Sequence, residues 1–254
     1  MTMFRFGTKI RYGSSRGQFG VLTRPRGGRP TAVVVLVHGG FWTWPYNRWL
    51  MLRLARSVRK RGWASFNVEY RRLGRFGGGG GFPETFDDVR SAIGLALQSA
   101  RSAEERFGRR VPVAVVGHSA GGHLALWAGR EIAGLAGVVS LAGPTDLRSI
   151  AENGSEPVRD LVAGAPADER WQLTSPMQRL PLAVPVVCVH GADDTTVSPR
   201  NSIAFVEAAT EAGDDASSTL VAGEVHRDAL RSSSKIWATT LDVLTEWCST
   251  DLRD

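Results

Sequence analysis

The chain alternates between short, mostly apolar runs and longer stretches with helical spacing. Runs at 32–37, 63–68, 111–116, 135–141 and 184–189 are rich in valine and bounded by glycine, proline or polar residues. This is the pattern of strands buried on both faces. Between them, Phe86, Val89, Ile93 and Leu97 recur every three or four residues after Pro83, as on one face of a helix with proline in its first turn. Strands alternating with helices predict a mostly parallel, twisted sheet of about eight strands, with right-handed crossovers and helices on both faces. Ligands of such sheets bind at the carboxyl ends of the strands. Residues 8–12 and 18–22 are expected to form an antiparallel edge hairpin, and 218–222 a last strand before a helix over 234–248.

Two stretches break this rhythm. Between Asp146 and Pro181 two strands are separated by far more than a usual connection, so residues 147–181 are expected to carry short helices and form a small cap. The run FGGGGGF at 76–82 costs much conformational entropy to order and lacks the lysine and hydroxyl residue of a phosphate loop, so it reads as a mobile connector. No internal repeat is present. With 254 residues, 43% of them hydrophobic, residues 1–254 are expected to form one α/β domain.

Charge changes this picture little. The net charge of +6 could suggest nucleic acid, but the densest basic stretch, RLARSVRKRG at 53–62, spaces Leu54 and Val58 as the inner face of an amphipathic helix. Its arginines read as a wet face. No run approaches the roughly 20 apolar residues of a membrane span, and the start, MTMFRFGTKI, lacks the apolar core of a signal peptide. A cytoplasmic protein is expected. Cys188 and Cys248 form neither a disulfide framework nor a metal-ligand pattern.

The chemistry gathers around GHSAG at 117–121. This is the G-x-S-x-G pattern in which a nucleophilic serine, here Ser119, sits on a tight strand-to-helix turn. The preceding VPVAVV supplies the strand, and the following AGGHLALWAG supplies a helix. GSSRG at 13–17 matches the same pattern around Ser15, but polar alternation precedes it and no helical spacing follows. A serine hydroxyl needs a base, and the base needs a partner that fixes its tautomer. His226, just beyond the last predicted strand, is the only histidine after residue 190. For the acid, Asp193 and Asp194 follow an apolar strand in HGADDTTV, with Asp146 as a rival one strand earlier. An oxyanion would need backbone N–H groups from Ala120 and from the HGGFW loop at 38–42, through Gly40 or Phe41. Phe41, Trp42, Trp44 and Trp127 belong either to an apolar acyl or aryl pocket or to the core. His38 reads as a brace of its loop rather than as the base.

With these pieces in place the chain resembles the α/β-hydrolase fold. HGGFW, GHSAGGHLALW and HGADDTTV together resemble the arylformamidase (kynurenine formamidase) and small carboxylesterase branch. The resemblance implies that the acid is the fourth residue after the histidine of the H-G-x-x-D pattern, which selects Asp194. The chain departs from the branch around His226, where Val225 and Arg227 replace the usual glycine and aromatic neighbours.

The expected function is therefore a serine hydrolase with Ser119, Asp194 and His226 as its triad, acting on a small ester or an N-formyl or aryl amide. No cofactor and no metal is required by this chemistry. The expected partner is a small-molecule substrate, with a homodimer admissible and neither nucleic acid nor membrane. An acyltransferase or thioesterase using the same triad, or a binding protein that keeps the fold without turnover, are the alternatives.

Overall fold

The computed structural model describes residues 7–249. Among these residues eight strands form one sheet: β1 (Thr8–Arg11), β2 (Phe19–Thr23), β3 (Val33–Val37), β4 (Ala64–Glu69), β5 (Val113–His118), β6 (Gly137–Leu141), β7 (Val186–Gly191) and β8 (Ala216–Val221). Their order is β1-β2-β4-β3-β5-β6-β7-β8. From β4 to β8 every neighbouring pair is parallel, and β1 and β2 add an antiparallel hairpin. The apolar runs mark these strands to within two residues. The difference is systematic, because β5 and β7 continue through Gly117–His118 and His190–Gly191, where the ladder no longer requires apolar side chains.

Helices α1 (Leu52–Lys60), α2 (Glu84–Phe107), α3 (Ala120–Glu131), α7 (Arg200–Glu211) and α8 (Lys235–Cys248) cover the sheet, and α4 (Leu147–Glu152), α5 (Glu156–Val162) and α6 (Arg170–Thr174) lie in the long insertion. Every residue of β3 is buried. Val33, Val35 and Val37 pack with Phe86, Ile93 and Leu124 on one face, while Val34 and Leu36 pack with Leu54, Val58 and Trp237 on the other. Full burial of each such side chain is worth about 1.5–3 kcal/mol, so both faces need a helical layer. In α1, Leu54, Ala55 and Val58 point inward while Arg53 and Arg56 are exposed, as its spacing predicts. Among the described residues no helix is long and apolar enough to cross a membrane.

The glycine run differs from expectation. It is held by its own backbone, with N–H groups of Arg72 and Gly80 donating across the loop to the carbonyls of Gly77 and Arg72 at 2.8 and 2.7 Å. Phe82 N–H then donates to the carbonyl of Leu161 at 2.7 Å. A run without side chains can close on itself, which composition alone does not reveal.

One turn governs the rest. Between β5 and α3, Ser119 takes φ 54° and ψ −123°, a conformation that costs a non-glycine residue about 1–3 kcal/mol. Helix α3 starts flush against the end of β3: a methyl group on Gly121 would collide with the carbonyl oxygen of Val37. Gly121→Ala is accordingly expected to lower stability by roughly 1–3 kcal/mol or more. Gly94→Ala, on an exposed face of α2 where a methyl meets nothing within 4 Å, should add roughly 0.5–1 kcal/mol. Urea midpoints measure both, and a Gly121→Ala protein as stable as the parent would contradict this close approach.

Candidate active site

Ser119 is 6% exposed at the carboxyl end of β5 and lines a cavity of about 480 Å³. Phe41, Trp42 and Ala120 line it beside the serine, Pro144, Ile150, Val158 and Val197 make it apolar, and Asn153, Ser155, Ser198 and Asn201 give it polar groups. A second cavity, of about 460 Å³, opens at the amino ends of the strands between the β1–β2 hairpin and α2. It lies far from Ser119.

The HGGFW loop approaches the serine closely. A methyl on Gly39 would lie 2.9 Å from Ser119 Cβ, and Gly40, at φ 111°, passes beneath Tyr46. Phe41 and Trp42 then both adopt left-handed backbone, at φ 52° and 57°. Two such residues in succession persist only where surrounding contacts dictate them. Trp42 is buried with its ring edge-on to His123, and its carbonyl accepts the N–H of Leu73 at 2.7 Å. Phe41 stays half-exposed at the cavity. Trp44 is not brought to the cavity: it is 59% exposed and packs on Phe76. Trp127 is core, with the ring of Phe86 and the guanidinium groups of Arg90 and Arg179 around it and its Nε1 donating to the carbonyl of Leu173 at 2.8 Å.

A buried carboxylate anchors this loop. Glu69, at the end of β4, accepts the N–H of Arg48 at 3.1 Å through Oε2. Its Oε1 lies 3.1 Å from Arg72 Nη2 and 3.5 Å from His38 Nε2. Arg72 also donates to the carbonyl of Tyr46. His38 is fully buried, stacks on Tyr70 with ring centroids 4.3 Å apart, and has Nδ1 2.7 Å from the carbonyl of Gly39. Burial pushes the Glu69 carboxyl up, but the hydrogen bond and charge of His38, with Arg72 and the Arg48 N–H, hold it below the ordinary carboxylate range.

Beyond β7 and β8 the other predicted residues meet. His226 Nδ1 lies 2.6 Å from Asp194 Oδ2. Asp194 Oδ1 accepts N–H groups of Thr196 and Val197 at 2.8 and 3.0 Å. Burial raises the Asp194 carboxyl, and the bonds from His190, His226 and Val197 outweigh it, holding the group well below its ordinary range. His118, next to Ser119, donates from Nε2 to the carbonyl oxygen of His226 at 3.1 Å, with the two rings 4.8 Å apart. Burial pushes His118 down to about 3, so the ring is neutral at pH 7.

The rival acids are placed elsewhere. Asp193 is exposed. Asp146 caps α4, its Oδ1 accepting from Ser149 N–H and the Gln178 amide, each at 3.2 Å. Glu69, whose carboxylate meets His38 and Arg72, carries no sequence signal, because an acid ending a strand reads as scaffold, and His190 enters the sequence reading only as the histidine of the H-G-x-x-D pattern. Among the described residues no group of three His, Cys, Asp or Glu could hold a metal ion.

Asp194 and Glu69 have folded-state values below their unfolded ones. Their stabilisation is therefore complete above the ordinary carboxylate range of about 4 and is lost as pH falls through the folded values. Melting temperature is expected to fall more steeply for the parent than for Asp194→Asn or Glu69→Gln as pH drops from about 5 to about 2. Parallel curves would show that neither carboxylate is stabilised in the fold.

The BD-FAE family matches residues 21–209. Against curated proteins the chain finds no match. Among solved structures, a truncated carbohydrate esterase from gut microbiota shares 18% identity at a TM-score of 0.78, covering 95% of each chain. An acetyl ester-xyloside bifunctional hydrolase from Caldicellulosiruptor lactoaceticus shares 18% at 0.75, over 94% of this chain and 96% of that one. Thermogutta terrifontis esterase 2, phosphoramylated by tabun, shares 18% at 0.75, over 97% and 95%. At this identity the likeness is one of fold, the α/β-hydrolase fold of esterases. With the family match spanning well over half of its length, the chain belongs to the BD-FAE family.

Proposed function

We propose that the protein is a serine esterase that works through an acyl-enzyme. The observation that carries this reading is the 2.6 Å bond between His226 Nδ1 and the buried Asp194 carboxylate, at the same strand ends as the strained Ser119 turn. Asp194, ionised throughout the working pH range, accepts a hydrogen bond from Nδ1–H and so fixes the tautomer in which His226 Nε2 carries a lone pair. That lone pair takes the Ser119 proton as Oγ adds to the ester carbonyl. The new oxyanion is met by the N–H of Ala120, at the start of α3, and by that of Gly40 or Phe41. His226 returns the proton to the leaving alcohol, the acyl group stays on Ser119, and water repeats the sequence to release the acid.

Residues 147–181 act as the cap, with Ile150, Asn153 and Val158 reaching the cavity. Its mixed lining suits a short acyl group joined to a polar alcohol, Trp42 lying against the former and Asn153 and Asn201 near the latter. Solved esterases of like fold support ester over formamide; among them are enzymes described as acting on carbohydrate or acetyl esters.

Hydrolysis of p-nitrophenyl acetate and labelling by a fluorophosphonate test this reading. Both should fall on the order of 10³-fold or more in Ser119→Ala. Parent-like turnover by that variant would end the proposal, and parallel assays with acetylated sugars, N-formylkynurenine and an added nucleophile separate esterase, formamidase and transferase. Asp194→Asn should lower kcat on the order of 10²- to 10⁴-fold, whereas Asp193→Asn and Asp146→Asn stay near the parent. If Asp146→Asn were the worst of the three, the acid would be misassigned.

A further inference from the structure

Asp194 faces two imidazoles, and the mechanism above uses only one. His190, fully buried at the end of β7, has Nε2 3.0 Å from Asp194 Oδ2 and 3.0 Å from the carbonyl oxygen of Val197. Both of these atoms can only accept, so Nε2 carries a proton. On its far side, His190 Nδ1 lies 2.8 Å from Ser202 Oγ, a buried hydroxyl in the first turn of α7. His226 Nδ1 approaches the same Oδ2 at 2.6 Å, while the other oxygen is occupied by the two backbone N–H groups of Thr196 and Val197. Ser202, His190, Asp194 and His226 thus form a continuous polar chain across the carboxyl ends of β7 and β8, with one carboxylate oxygen shared by two histidines.

We propose that His190 is a positioning residue for the esterase reaction: held by Ser202, it fixes the rotation of the Asp194 carboxylate and limits how strongly Oδ2 holds a protonated His226. This rests on the hydrolytic reading of the site. Backbone bonds at Oδ1 leave the carboxylate a hinge, and a buried N–H at Oδ2 removes it. The same N–H draws part of the charge of Oδ2 away from His226. Without His190, the undivided charge of Oδ2 would favour the imidazolium more strongly. The other groups around His226 do not supply this effect: His118 packs against its ring from β5 and binds its carbonyl, Asp228 closes its turn through the N–H of Val225 at 2.9 Å, and Arg227 is exposed.

The test is the pH dependence of kcat and KM for p-nitrophenyl acetate in His190→Leu, His190→Gln and Ser202→Ala. His190→Leu should lose about tenfold in kcat, the range of one charge-assisted hydrogen bond, with KM nearly unchanged. Its acidic limb should move up by roughly one pH unit. His190→Gln, whose terminal amide can donate to Oδ2, should restore most of both. Ser202→Ala should shift both in the same direction by less. A parent-like kcat and limb in His190→Leu would overturn the inference, as would equal losses in the Leu and Gln variants with an unmoved limb, the signature of packing alone. If His190→Leu does not fold, Ser202→Ala decides: a parent-like profile overturns the inference and an upward shift supports it. Turnover that survives Ser119→Ala would instead defeat the esterase reading, a result distinct from any of these.

Discussion

The absence of a side chain at Gly121 lets the first turn of α3 rest directly on the carbonyl oxygens that end β3. That contact sets two things at once. It holds Ser119 in its strained turn, and it brings the loop that leaves β3 over the same spot, with Gly39 almost touching the serine. Strain of this kind survives only when several contacts agree on it. Here they do: the central strands are buried on both faces, so neither the turn nor the loop can relax without disturbing the two core layers.

Electrostatics then completes what packing begins. Glu69 and Asp194 are both largely removed from water, and both remain ionised because donors surround them. A third buried carboxylate, Asp88, is likewise ringed by donors, taking the forked guanidinium and the N–H of Arg71 and the Gln18 amide, the last at 2.7 Å. Planar guanidinium groups suit such shared, partly buried carboxylates. Such pairs place elements more than they add stability. At Asp88 of α2, Arg71 ties in the end of β4 and Gln18 the hairpin, while Arg72 joins β4 to the loop beside Ser119.

Most of the fold was legible in the sequence, because strands with two buried faces leave unbroken apolar runs and crossover helices leave a 3.6-residue period. The limits of legibility lie where polar residues continue a strand, as at His118 and His190, or where a glycine run bonds back to the preceding backbone, as residues 77–80 do to Arg72, Gly74 and Arg75. Within the site, motif and chain order pointed to Ser119, His226 and the Asp193–Asp194 pair. Spacing could not choose between the two aspartates, because which of two adjacent loop residues faces inward depends on the turn after Gly191. Trp42 and Trp44 show the same difficulty: the left-handed backbone at Phe41 and Trp42 redirects the chain, burying one tryptophan and exposing the other. Glu69 and His38 are distant in sequence, and only the parallel pairing of β3 with β4 makes them neighbours.

The sheet's outermost strands, β1 and β8, carry a further consequence. Thr8, Lys9 and Arg11 are exposed on one, and Ser217, Ser218 and Thr219 on the other. An outer strand offers unpaired backbone groups to any other strand that reaches it. The charged side chains at the β1 margin, and the shortness of that strand, make a poor template for adding strands from a second molecule. The protein can thus keep a strongly apolar set of parallel strands at its centre while discouraging sheet-to-sheet polymerisation at its β1 border.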